Sequence, residues 1–117
     1  MRKINPSEFK WQDTGNGYLR KIFMMVDNKK GKTCKVQFVR IPPNTTVKPH
    51  YHKGQTESEY VLTGSGSIKS GKKIIKLFPG VLFIVEKNEL HEVKSGSKGL
   101  LLFVTKANYS DDTEWLE

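Results

Sequence analysis

The stretch His50-Tyr51-His52-Lys53-Gly54-Gln55-Thr56-Glu57-Ser58-Glu59-Tyr60-Val61-Leu62-Thr63-Gly64-Ser65-Gly66 decides how this chain is read. Its two histidines stand two residues apart. In an extended strand, residues i and i+2 project from the same face, so the two imidazoles can converge on one point. Glu57 and Glu59 follow with the same spacing. Neutral imidazole and carboxylate together suit a first-row divalent metal. A His-x-His pair taken alone is more often two solvated side chains, so the residues around it carry the argument.

Outward from this stretch, the chain is a succession of short β-type runs broken by Gly, Pro, Asn and Ser. Residues 18–26 form one apolar run, closed by Asp27-Asn28 and Gly31. Residues 34–41 alternate: Cys34, Val36, Phe38 and Arg40 share one face, and Lys35, Gln37, Val39 and Ile41 the other. Pro42-Pro43-Asn44 stops that strand. Residues 57–63, 66–70, 72–78, 81–85, 90–94 and 100–106 follow at short spacing. Ser70-Gly71 marks a hairpin turn and Pro79-Gly80 another. No segment carries a sustained helical period with caps. Many short strands with regular turns predict an all-β sandwich or barrel. The tail over residues 108–117 is acidic and polar, with Trp115 and Leu116 able to dock it.

Composition narrows the classes. A chain of 117 residues fits one domain over 1–117. The formal net charge is +8, which favours an anionic partner. The lysines fall in ones and twos near turns, a pattern of solvated strand edges rather than a nucleic-acid stripe. Apolar runs such as 81–85 and 100–104 reach only five residues, too short to span a membrane as a helix. The N-terminal residues lack an apolar signal-peptide core. The single cysteine, Cys34, permits no internal disulfide and reads as a small buried hydrophobe. A cytoplasmic location is the expectation.

From His50 the chain reads H-x-H, four residues, Glu57, six residues, Gly64, and then the cadence Tyr60-Val61-Leu62-Thr63-Gly64-Ser65-Gly66. This resembles the first motif of the cupin superfamily, of the small single-domain, conserved-barrel kind. The second motif is present in part: Gly80 and His91 stand at the family's spacing, while Glu86 and Asn88 replace its proline and glycine. Asn tolerates positive φ better than other non-glycine residues, so Asn88 can make the same turn. Ser95 stands where the family has asparagine, and Val81 where it often has an acidic residue. The resemblance covers about residues 36–105 and takes in all three histidines of the chain.

The resemblance implies a double-stranded β-helix, or jelly-roll barrel, with one divalent transition metal per chain held by His50, His52, Glu57 and His91. Mn, Fe, Ni and Zn all suit such a set. Three imidazoles and one carboxylate leave two positions open on a six-coordinate ion, for water, dioxygen or a chelating substrate. The implied function is a metal-dependent enzyme of isomerase, epimerase or dioxygenase type acting on a small anionic metabolite. The alternative is a non-catalytic module that binds a sugar or senses a small molecule. Cupins commonly pair sheets, so a homodimer is implied, with residues 18–26 as the pairing strand.

Two further side chains are candidates. Glu59 shares a face with Glu57 on a regular strand and could act as general base, unless a bulge turns it outward to pair with a lysine. Arg40 could clamp a substrate carboxylate or phosphate if the face it shares with Val36 and Phe38 lines the pocket. Tyr60 and Phe38 read as core, and Phe78, Phe83 and Phe103 as packing.

Overall fold

The computed structural model describes residues 1–28, 32–108 and 113–116, with the side chains of 27, 28 and 32 also outside the description. Strand β2 runs on through Asp27-Asn28, where the sequence suggested a turn; Gly31 and much of the polar tail lie outside the described residues. Among the described residues, nine strands follow a single 3-10 turn at Pro6–Glu8: β1 (Gln12–Asp13), β2 (Leu19–Asn28), β3 (Lys32–Ile41), β4 (Thr46–His52), β5 (Thr56–Ser70), β6 (Lys73–Leu77), β7 (Leu82–Val85), β8 (His91–Ala107) and β9 (Thr113–Trp115). Among the described residues there is no α-helix, and so none long and apolar enough to cross a membrane. The protein is all-β and has the jelly-roll form expected of it.

The two longest strands organise the rest. One edge of β8 pairs antiparallel with β5 along most of its length, from Lys69↔Glu92 to Thr56↔Ala107. The other edge is shared: β4 takes the N-terminal half and β3 the C-terminal half. The free edge of β5 is likewise divided between β7 and β6. The residues expected as separate strands at 57–63 and 66–70 are thus one strand, as are 90–94 and 100–106. Strands this long must bend to close a barrel, and bulges allow it. The β5–β8 register shifts twice, between Val61 and Thr63 and between Gly64 and Gly66. Gly64 sits there with φ of +93°, and a Cβ on it would lie 2.0 Å from the Gly99 carbonyl oxygen. Only glycine fits that crossing.

The interior is lined by Val39, Ile41, Val47, Val61, Ile68, Leu77, Phe83, Val85, Val93, Leu100, Leu102 and Val104. In β3 the inward face is therefore the one with Lys35, Gln37, Val39 and Ile41. The opposite face, with Phe38 and Arg40, looks outward. Strand parity does the same for Tyr60 and Phe103, which are exposed rather than core, and Phe78 is exposed at a turn. Phe83 is buried as expected, whereas Cys34 is only half-buried. The outward aromatics form a row, Phe9 to Phe23 to Phe38 to Phe103, with ring centroids 5.0, 4.9 and 6.2 Å apart and edge-to-face packing. Asn88 has φ of +63°, so it makes the left-handed turn expected of it, and Gly80 stands at +96°.

The contrast between two glycines tests the packing argument. Gly80 has open space where its Cβ would go, so Gly80→Ala should cost only the left-handed penalty of about 1–2 kcal/mol. Gly64→Ala should cost well beyond that, because backbone must move. Urea denaturation midpoints of the two variants measure the difference, and equal midpoints would refute the close crossing.

Candidate metal centre

Strand β4 carries two of the histidines and lies between β8, which carries the third, and β9. His50 is the direct cross-strand partner of His91. Pro49 precedes it, and a proline cannot donate to a ladder. The β4–β8 register slips between Val47 and His50, and this slip places both side chains inward although their spacing is odd. His52 then follows on the same face. All three histidines are buried.

Among the described residues, His50, His52 and His91 are the group whose ligand atoms all lie within 4.8 Å of one another. Hydrogen bonds fix two of the rings. His50 Nδ1 contacts the Lys48 carbonyl oxygen at 2.7 Å, and His91 Nδ1 contacts the Glu89 carbonyl oxygen at 2.9 Å. A carbonyl can only accept, so each Nδ1 carries the proton and each Nε2 presents a lone pair. His52 Nδ1 lies 2.8 Å from Thr113 Oγ1 and 2.5 Å from Gln55 Nε2. Its Nε2 is buried, 2.5 Å from Glu57 Oε1, in a geometry that makes no hydrogen bond. A buried ring nitrogen left in this condition, beside two others with bare lone pairs, fits a divalent metal.

Glu57 borders the histidine group and lines the same pocket. Its Oε1 also meets Lys106 Nζ at 3.1 Å. Burial opposes ionisation of Glu57, but the His52 contact and the Lys106 ammonium outweigh it and hold the carboxyl well below the usual carboxylate range. Glu59 points inward too, with no bulge between it and Glu57. Burial first, then the neighbouring Glu57 charge, pushes its carboxyl well above the usual range. Burial lowers His50 to about 4 and also lowers His91, so both are neutral near pH 7. Burial would lower Lys106, yet Glu57 and its other neighbours raise it, and it stays charged.

The pocket holds about 480 Å³ of empty space, its mouth included. The side chains brought together in its wall include the three histidines, Glu57 and Glu59. Arg40 is not among them: it is exposed and lines a different surface cleft with Trp11 and Lys98. Reasoning from sequence missed Tyr18, Gln37, Lys106 and Trp115, all of which line the pocket. For Lys106 the signal existed, since it shares parity with Leu100, Leu102 and Val104. For Trp115 no local pattern announced that its ring stacks on His50, with centroids 4.4 Å apart.

The sequence pattern of the cupin domain matches residues 37–105. No curated protein sequence matches the chain. Several solved structures share its fold. KdgF from Halomonas sp. is 22% identical, with a TM-score of 0.77, over 91% of this chain and 92% of that one. The polyketide cyclase RemF from Streptomyces resistomycificus is 17% identical, with a TM-score of 0.79, over 100% and 86%. Streptomyces Pac13, solved with uridine, is 14% identical, with a TM-score of 0.79, over 100% and 92%. At these identities the likeness is one of fold.

The two carboxyls should respond differently to neutralisation. Glu57→Gln leaves the Lys106 ammonium buried without its carboxylate and should destabilise the metal-free protein by roughly 3–5 kcal/mol. Glu59→Gln replaces a carboxyl that is already protonated. In the unfolded chain Glu59 ionises near its ordinary 4.5, so the unfolded state binds fewer protons above that pH, and wild-type stability falls as pH rises. Glu59→Gln removes this slope and should gain on wild type as pH rises from about 4.5. Urea unfolding across pH 4–8 checks both expectations.

Proposed function

The chain belongs to the cupin family, and from that footing we propose that it is a metal-dependent enzyme acting on a small anionic metabolite. The observation that carries this reading is the convergence of three buried imidazoles at the wall of one interior pocket. His50, His52 and His91 would hold the ion, with Glu57 as the fourth ligand. A bound divalent ion of Mn, Fe, Ni or Zn type would supply Lewis-acid polarisation or redox capacity.

The remaining wall groups set the rest of the chemistry. Glu59 holds a proton inside the pocket and is placed to give it to, or take it back from, a bound substrate. Tyr18, whose hydroxyl is kept protonated by burial, is a second donor. Among the groups lining the pocket, the Lys106 and Glu57 charges balance each other, and in the metal-free protein burial and Glu57 hold Glu59 toward its neutral form. A divalent cation would leave that interior positive by two charges, so an anionic ligand is the one that restores balance. A carboxylate or phosphate that chelates the ion fits this requirement. Isomerase, epimerase and dioxygenase chemistry all remain within reach of the same residues, while a sugar-binding or sensor role would use the pocket without turnover.

We further propose a homodimer. Among the described residues, strand β2 has only the two-residue β1 on its outer edge, paired at Gln12↔Arg20 and Asp13↔Leu19. Its distal part, including the exposed Met25 and Val26, offers an open apolar edge to a second copy. Light scattering at micromolar concentration should give twice 13.4 kDa.

Elemental analysis of purified protein should find near one divalent metal per chain, lost in His50→Ala and in His91→Ala. Glu57→Gln should weaken retention far more than Glu59→Gln. A panel of small carboxylates and phosphates, assayed with each metal form with and without chelator, tests turnover. Activity surviving complete metal removal would reject the reading, and binding without turnover across the panel would favour the sensor role.

A further inference from the structure

We propose that strand β9, at the C-terminal end of the chain, is a positioning element of the metal centre: Thr113 orients His52 and Trp115 orients His50. The inference rests on the metal reading above and adds a dependence that lies outside the residues matched to the cupin pattern, which end at 105.

The argument begins with register. Strand β9 pairs antiparallel with β4 through His50↔Trp115, Tyr51↔Glu114 and His52↔Thr113. Directly opposed residues on a sheet point to the same side and touch. The sequence Thr113-Glu114-Trp115 thus lies against His50-Tyr51-His52 in reverse, with Thr113 and Trp115 inward and Glu114 outward. Glu114 clips the outer side through Lys53 Nζ at 2.9 Å, and Leu116 N donates to the Pro49 carbonyl oxygen at 2.9 Å.

The inward contacts are specific to the two histidines. Trp115 stacks on the His50 ring at 4.4 Å between centroids and 30° between planes. The other side of His50 meets His91 at 4.1 Å. Trp115 therefore closes the free side of an imidazole whose Nδ1 is already tied to the Lys48 carbonyl. On His52, the Thr113 hydroxyl reaches Nδ1 at 2.8 Å. For His52 Nε2 to bind an ion, Nδ1 must carry the proton and find an acceptor. The Thr113 oxygen is that acceptor. Without an ion the same hydroxyl can rotate and donate to a bare Nδ1. Gln55 has the same ambivalence once its amide is turned, because its buried Oε1 has no partner as oriented. Thr113 thus serves both tautomers of His52, while the stacked indole fixes the plane of His50.

The test uses the full-length protein, Co(II) as probe, and four variants beside wild type. Affinity is read from the visible absorbance of Co(II), and folding from thermal melts. Glu8→Gln, exposed on the 3-10 turn at the N-terminal end, should bind as wild type. Thr113→Val should bind Co(II) about 10–100-fold more weakly, the usual cost of losing a partner of a ligating histidine. Thr113→Ser, which restores the hydroxyl, should return affinity to within a few-fold of wild type. In wild type, Co(II) should quench the Trp115 fluorescence. Trp115→Phe, which keeps only Trp11, should lose that quenching and bind more weakly. Wild-type affinity in Thr113→Val and Trp115→Phe would overturn this proposal alone. A wild-type protein that binds no Co(II), Zn(II), Mn(II), Fe(II) or Ni(II) would overturn the metal reading and this proposal with it. If Thr113→Val folds poorly, the wild-type fluorescence decides: Co(II) bound without quenching would refute the placement of Trp115.

Discussion

A carboxylate can stay ionised among valines and leucines only if something replaces the water around it. In this barrel the Glu57 carboxylate has His52 on one side and the Lys106 ammonium on the other. The three groups come from β4, β5 and β8, so their meeting requires all three strands to be in register and facing inward. The polar wall is in this sense a readout of the whole fold. A one-residue slip of β5 against β8 would send Glu57 and Glu59 outward with Tyr60 in their place. It would also leave Lys106 buried without its acid.

The same dependence on register explains why the histidines meet. His50 and His91 are 41 residues apart in sequence, yet they are cross-strand neighbours because β8 is shared between β4 and β3. The bulge at Pro49 is what puts His50 on the inner face alongside Val47. Proline's missing donor breaks the regular ladder where an uninterrupted strand would have turned one of those two side chains out. The turn at Asn88 has a matching part on the β8 side: its backbone N–H donates to the His52 carbonyl at 2.6 Å, tying the approach to His91 onto the strand that carries the other two rings.

Much of this was legible in the sequence because it lies in local periodicity. The i, i+2 spacing of His50 and His52 and the turn signals at Gly80 and Asn88 appear in the structure where the residues imply. What periodicity could not give was which face of a strand looks inward. In β3 both faces carry apolar and polar residues, so the sequence left open which face lines the pocket; in the structure the Arg40 face looks outward, with Phe38 in the outward aromatic row. The inward polar residues Lys35 and Gln37 were concealed by the ordinary expectation that lysine and glutamine are solvated. Strand lengths were misread where glycines bend one continuous strand, since Gly64 and Gly99 look like strand ends in sequence and are crossings in space. Strand β9 left only one trace, Trp115 and Leu116 as residues able to dock the tail, with no sign of where they dock. Its three residues gain meaning only from the strand they lie against.

The position of Lys106 has a consequence for how the site tolerates both a filled and an empty state. An ion held by His52 Nε2 would displace the proton that this nitrogen otherwise turns toward Glu57, so the His52–Glu57 contact cannot survive unchanged. If His52 were the only partner of Glu57, the carboxylate would be stable in one state alone. Lys106 reaches the same oxygen from the far side and does not depend on what His52 is doing. It keeps Glu57 ionised when the ring is engaged elsewhere, and leaves the second carboxylate oxygen to turn toward an ion. A neutral residue at 106 would let Glu57 take up a proton when the ring withdrew, and a protonated carboxyl is a poor ligand. The buried lysine therefore acts through Glu57, holding the proposed fourth ligand in its ionised form, whatever contact it also makes with a bound anion.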